Sequence, residues 1–308
     1  MTKIKSIYTF YPTKDKELLL CDYEVGLLML SILNWKDNYG PAHLITNEKG
    51  KEYFVEIGID HLWDNIKVVS VEKGEIDDEI FPDVYKFKIL EKEETPFCVI
   101  EYDTILKDDV NKMLFDGDIG LPYVEKVGET KHVADNFIYF KDSDLLGKYV
   151  KKSITYMKKN SKEKELTPKE SFFVNLGINR ILLKLVENKK VKVNYLFTTE
   201  LNPSTQNEFP FTELNKLETT TLFMFTKFNR ESIRNKTKVY DSQEGGWVDS
   251  YHPKRQHYLN KVRDMVLIEQ GIEWYEIFEE IVKDNPLVSN TDFEKGIYFT
   301  GQDGRVVI

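Results

Sequence analysis

The sequence predicts an α/β fold, a mostly parallel twisted sheet with helices on both faces, in one domain with an elaborated C-terminal half. Three observations predict it. Through the first hundred residues, short β-branched and aromatic runs alternate with stretches whose apolar residues recur at helical spacing. That order gives parallel strands joined by crossover helices. The strand-like runs are apolar nearly throughout, as in strands covered on both faces. No Gly/Ser-rich linker, repeat or low-complexity tract divides the chain.

The elements follow in order. Lys5 to Tyr11, closed by Pro12, reads as the first strand. A helix from Asp22 to Asn38 follows, with Val25, Leu28, Met29, Ile32 and Leu33 forming an apolar stripe, and Gly40-Pro41 ends it. Ala42 to Thr46 is a short buried strand, Tyr53 to Ile57 a helix after the turn at 47–50, and Ile66 to Val71 a third strand. Val84 to Leu90 reads as a helix, and Pro96 to Tyr102 as a strand that is apolar until it meets acid. Later come strands at 137–140, 191–197 and 219–225, and helices at 144–159, 167–188, 254–270 and 272–283.

Composition excludes several classes. Hydrophobic residues at 41% and charged residues at 31% fit a globular chain and exclude a disordered or collagen-like one. No apolar run approaches the ~20 residues that span a bilayer. The start, MTKIKSIYTFYP, lacks the pattern of a secretory signal. Cys21 and Cys98 each sit among apolar residues and form no metal spacing, so a reducing cytoplasm is expected. The net charge of -9 argues against a general polyanion binder. There is no G-x-x-x-x-G-K-[ST] loop, no G-x-G-x-x-G after the first strand and no G-x-S-x-G elbow. Five histidines without close helical pairing do not suggest a zinc hydrolase.

In sheets of this kind ligands bind beyond the carboxyl ends of the strands. The informative segment there is PFCVIEYDTIL. Alternation along an extended chain points the carboxylates of Glu101 and Asp103 to one side. Two acids so close repel unless a cation or a hydrogen-bond network lies between them, and a hard divalent ion suits the oxygen ligands. The same tripeptide also reads as a solvated strand end carrying two unrelated acids.

PFCVIEYDTILKDDV resembles the metal-binding strand of GT-A glycosyltransferases, an apolar strand ending in Asp-x-Asp and an aliphatic pair, with Glu101 here in the first acidic place. The order of KSIYTFYP, a long helix, HLITNEKGKEYFVEIGI and IKVVSV is similar to the nucleotide-binding half of bacterial members, over roughly residues 5 to 200. The resemblance implies a nucleotide-binding half at 1–125 and an acceptor-side half with C-terminal helices at 126–308. It implies Mn²⁺ or Mg²⁺ held by Glu101, Asp103 and His252, and Tyr8 and Phe10 stacking on the nucleotide base. HVADNFIYFKDSDLL resembles the segment beside sugar and acceptor, with Asp135 and Asn136 in that place and Phe137 and Ile138 where small residues are usual. It reads equally as a turn before a strand.

Glu170 matches an acid that faces the acceptor at a helix start. It also closes a capping box with Thr167 and Pro168, which accounts for it without function. Lys254 and Arg255, in GGWVDSYHPKRQH, are read as cations for the donor diphosphate within a locally basic stretch from Thr226 to Arg263. That stretch reads either as a solvated helix face or as the dock for a polyanionic acceptor.

The expected activity is transfer of a hexosyl or pentosyl group from a nucleotide-sugar, UDP-linked, to an acceptor hydroxyl, by a cytoplasmic bacterial or phage enzyme. A surface glycan or lipid-linked acceptor ranks before a hydroxylated DNA base. The alternatives are a non-catalytic nucleotide-sugar-binding protein on the same fold, and another α/β enzyme that uses a nucleotide.

Overall fold

The computed structural model describes residues 3–12, 20–72, 74–78, 81, 83–107, 112–127, 130–133, 135–161, 168–196, 222–224, 237–241, 246–250, 254–283, 285, 288–289, 299–300 and 306–307. In chain order the elements that build the sheet and its two covers begin with β1 (Lys5–Phe10), β2 (Leu20–Cys21), α1 (Asp22–Asn38), β3 (Ala42–Thr46), α2 (Glu48–Glu56), β4 (Asn65–Val68) and α3 (Val84–Leu90). They continue with β5 (Phe97–Ile100), β6 (Thr104–Leu106), β7 (Ile119–Leu121), β8 (Val124–Val127), β9 (Thr130–Val133) and β10 (Phe137–Phe140). Then come α4 (Ser143–Asn160), α5 (Pro168–Val186), β11 (Val193–Tyr195), α6 (Lys254–Met265) and α7 (Ile272–Val282).

Seven strands form the main sheet in the order β11-β7-β10-β5-β1-β3-β4. β1 pairs in parallel with β3 and β5, and β3 with β4. β10 alone among these runs antiparallel, against both β5 and β7. The expected mixed α/β class with a mostly parallel sheet is therefore what is observed. The sheet draws strands from both sides of residue 125.

Side-chain alternation divides the core in two. Tyr8, Leu44, Cys98, Ile100, Phe137 and Tyr139 point to the face covered by α1, α2, α6 and α7. Ile7, Ile45, Phe97, Val99, Ile138 and Phe140 point to the face covered by α3, α4 and α5. Both faces are dry, which is why the strands carry almost no polar residues.

α1 departs from its expected single stripe. Every residue from Asp22 to Trp35 is buried, because the sheet lies on one side and α6 and α7 on the other. Its start is closed by Cys21, whose N–H donates to Glu24 Oε2 at 2.8 Å. Past its end, Gly40 has φ +155°, and a Cβ there would meet the backbone of Ile4 at 2.7 Å. Inside α1, Ser31 Oγ donates to the carbonyl of Thr104. The Tyr8 hydroxyl, 2.9 Å from Ser31 Oγ, must then be the donor to it.

Several boundaries moved, each for a local reason. α2 begins five residues earlier than expected because Asn47 Oδ1 accepts from the N–H of Gly50 at 2.9 Å. α4 is capped by Asp142, whose Oδ1 accepts from Asp144 and Leu145. The helix expected to run to residue 270 is α-helical only to Met265 and continues as a π turn, Val266–Gln270.

At Gly26 a Cβ would lie 2.1 Å from Val262 Cγ1 and 3.1 Å from the Phe278 ring, so α6 and α7 approach α1 where it has no side chain. Gly26→Ala gains up to ~1 kcal/mol of helix propensity but forces a stiff β-branched neighbour aside. We expect a net loss of about 1–3 kcal/mol in chemical denaturation. A variant as stable as the parent would show that the helix contact is loose.

Candidate functional site

The chain leaves β1, builds β3 and β4 on one side, then returns to place β5 on the other. This reversal opens a crevice at the carboxyl ends of β1 and β5. Because β10 is antiparallel, its beginning lies at that same edge. Phe137 is opposite Ile100, and the N–H of Glu101 donates to the Asn136 carbonyl at 2.9 Å. Glu101 is thus brought beside Asp135 and Asn136, far along the chain from it, at one edge.

A fourth residue joins them. Lys86 stands in the first turn of α3, and its ammonium donates to Glu101 Oε1. Burial works against the Lys86 cation, but Glu101, Asp83 and Asp135 more than offset it and hold its pKa above the ordinary lysine range. Burial likewise pushes the Asp135 carboxyl up, Lys86 draws it down, and Asp83 and Glu101 push it up again, leaving it at about 6. Beneath them Tyr149 of α4 is packed against Phe140 and Phe87, and burial, then Asp135, hold its phenol neutral well above the usual range. One ammonium among three carboxylates, over an aromatic floor, can bind a polar ligand, neutralise a phosphate and move a proton.

Second contacts hold this group in place. Asn179 of α5 accepts from the N–H of Val133 at 2.9 Å and donates to the carbonyl of the same residue, two positions before Asp135. Tyr11, just past β1, stacks on Tyr85 at 4.5 Å, and its hydroxyl accepts from the N–H of Val71.

The expected acidic pair is arranged differently. The N–H of Thr104 donates to the Glu101 carbonyl at 3.0 Å, closing a tight turn where an extended strand was expected. Alternation therefore does not apply: the Glu101 side chain is one-third exposed at 33%, whereas Asp103 is 2% exposed. Glu101 already faces a cation, Lys86. Among the described residues no group of three His, Cys, Asp or Glu is placed to hold an ion. As arranged, these residues do not fit a divalent cation.

Tyr8 is also corrected. It is 2% exposed, hydrogen-bonded to Ser31 and set edge-on to Trp63 at 5.0 Å, so it is core and has no face for a base. Phe10 is half-buried between Tyr53 and Phe54. Glu170 is the third residue of α5, and Lys254 and Arg255 are the first two of α6; their side chains lie outside the described residues, as does His252. Sequence reasoning missed Lys86, Asp83, Tyr149 and Asn179. A lysine in YKFKIL carries no motif, and only the return of the chain to this edge distinguishes Lys86 from Lys88.

No family model matches the chain, and no curated protein sequence matches it. Several solved structures are distantly similar to it. The glycosyltransferase GlyE of Streptococcus pneumoniae is 10% identical over 90% of this chain, with a TM-score of 0.43. This chain spans 63% of the length of that one. The inositol-1-phosphate CTP transferase of T. maritima is 13% identical over 66% of this chain and 91% of its own, with a TM-score of 0.36. Mouse xyloside xylosyltransferase 1 is 11% identical over 64% of this chain and 78% of its own, with a TM-score of 0.31. Similarity this distant says nothing about substrate.

The Asp135 carboxyl titrates near 6 in the folded state and near 3.9 in an unfolded chain. The folded form therefore holds this proton more tightly. The stability it contributes is full below pH ~4 and lost as pH rises through about 6. Asp135→Asn should be more stable than the parent above pH 6, by about 1–2 kcal/mol after solvent screening, and the difference should vanish near pH 4. Urea melts from pH 4 to 8 read this directly; a difference independent of pH would place the carboxyl in an ordinary environment.

Proposed function

We propose that this protein is a GT-A-type glycosyltransferase that takes a UDP-linked sugar and moves it to an acceptor hydroxyl. The observation that carries the reading is the convergence of Lys86, Glu101, Asp135 and Asn136 on the carboxyl edge beside the switch between β1 and β5. That is where an α/β sheet receives a nucleotide, and the residue types suit a diphosphate and a sugar.

In this reading Lys86 faces the donor diphosphate, whose negative charge grows as the bond between the anomeric carbon and the phosphate oxygen breaks. A new bond forms from that carbon to the acceptor oxygen, and the acceptor's proton passes to Asp135, which is ionised above pH about 6. Asn136 offers both a donor and an acceptor to sugar hydroxyls. Glu101 orients Lys86. Phe10, half-buried at the end of β1, is the aromatic side chain left for the base in this reading. Glu170 on the acceptor side keeps the role implied by the resemblance, and Lys254 and Arg255, from the locally basic stretch, serve the diphosphate. Mn²⁺ or Mg²⁺ at Glu101, Asp103 and His252 rests on the resemblance alone, against the arrangement of the first two, and no step here runs through it. A glycan or lipid-linked acceptor in the cytoplasm ranks ahead of a DNA base.

The second reading, a nucleotide-sugar binder without turnover, is favoured by one observation: Glu101, in the first acidic place, is already neutralised by Lys86. Calorimetry with UDP and UDP-sugars, with and without Mn²⁺, followed by a donor-hydrolysis assay, separates the two.

Lys86→Met should weaken UDP binding at least tenfold, ~1.4 kcal/mol, while Lys86→Arg keeps most of it. Asp135→Asn should leave UDP affinity in place and lower kcat/KM by ~10²–10⁴. In the parent kcat/KM should fall below pH about 6 as Asp135 gains its proton. Unchanged UDP affinity in Lys86→Met would sink the assignment.

A further inference from the structure

The solvent side of α4 is a lysine face. Lys148, Lys151, Lys152, Lys158 and Lys159 are all exposed. At 3.6 residues per turn they fall within an arc of about 120° and over a length of roughly 17 Å. The opposite arc, Leu145, Leu146, Tyr149, Val150, Ser153 and Met157, is buried against the sheet and α3. Asp144, in the first turn, is the acid that shares the lysine arc. The helix thus carries five cations against one acid in a chain whose net charge is -9. Like charges three and four apart, as at 148, 151 and 152, oppose helix formation. Acids are plentiful in this chain, yet none follows the first turn of α4.

We propose that this face docks the protein on an anionic lipid bilayer. The charge is spread along a straight rod and is carried by lysine alone, the compact hydrated cation suited to many lipid headgroups at once. The arc offers no arginine fork to grip a phosphate bidentately and no exposed aromatic on which a base would stack, which disfavours nucleic acid. No exposed large apolar residue lies on α4, so contact is electrostatic and does not involve insertion. The far end of the helix also lies at the edge that holds Lys86 and Asp135. There Ser161 Oγ accepts from the N–H of Asp77, in the segment between β4 and α3. Docking along α4 therefore brings that edge toward the headgroup layer. Its use for a lipid-linked acceptor rests on the proposed transfer reading, whereas the docking does not.

The test is co-sedimentation of the full chain with vesicles of phosphatidylglycerol and phosphatidylcholine, against phosphatidylcholine alone, in 0.05 M salt (about 14 Å Debye length) and at ~0.3 M. The variant Lys148→Gln/Lys151→Gln/Lys152→Gln is compared with a control of equal charge change on other exposed lysines, Lys49→Gln/Lys51→Gln/Lys92→Gln. Circular dichroism verifies that both fold. We expect binding only to the anionic vesicles, lost at the higher salt, and weakened at least tenfold by the α4 substitutions but less than threefold by the control. Absence of binding at low salt, equal binding to neutral vesicles, or equal loss in both variants overturns the proposal. Tighter retention on duplex DNA or RNA than on the anionic vesicles, lost in the α4 variant, overturns it in favour of nucleic acid. Because no sugar donor enters the assay, its outcome is independent of the transferase reading.

Discussion

A helix without a wet side constrains everything around it. From Asp22 to Trp35, α1 is enclosed by the sheet and by α6 and α7, so each polar group it carries must find its partner inside the protein. Ser31 takes the Tyr8 hydroxyl on one side and gives its own proton to Thr104 on the other. Asn34 donates to the Leu30 carbonyl and to Glu269 of the π turn, and Asn38 to the carbonyl of Lys107. Glu269 in turn pairs with Lys107. These bonds tie the segment after β5 to α1 and the C-terminal helices at once. The position of Glu101 and Asp103 is a property of that enclosure as much as of β5.

The same enclosure explains what could be read from the residues and what could not. The strands β1, β3 and β5, and helix α1, were legible because burial on both faces leaves an unbroken apolar signature. β7 was not, since three residues, Ile119 to Leu121, with a glycine at their centre make no periodic pattern. The full burial of α1 was also hidden, because Asp22, Glu24, Ser31 and Asn34 interrupt the apolar residues although they are buried too. At the edge of the sheet, Glu101, Asp135 and Asn136 were visible as acid and amide at strand ends. Their mutual adjacency, and Lys86, depend on the reversal of β10 and on the crossover before β5, which are tertiary facts. Tyr8 misled because an aromatic one residue before half-exposed Thr9 and Phe10 has no local mark of depth.

Charge at this edge is balanced differently from an acidic pair around an ion. A fixed ammonium does the neutralising, held by Glu101 and tuned by Asp83 and Asp135. A covalently attached cation cannot be lost to a chelator or exchanged, and its position is set by one short helix. In return it offers hydrogen-bond donors at a single point, where a divalent ion gathers several oxygens. The shift of Asp135 toward neutrality follows from its own burial and from the same crowding, in which one lysine serves three carboxylates.

The order of the sheet also sets a timetable for synthesis. β1 is an inner strand, yet its partner on one side, β5, is far along the chain: Lys5 is opposite Phe97. At ~5–20 residues per second, translation needs roughly 5–20 s to supply that partner. During this interval β1, if already joined to β3, has one unpaired edge, and an open edge is what other chains attach to. The nascent protein is then open to such pairing until residue 97 emerges, because an inner strand of the sheet is made well before one of its two partners.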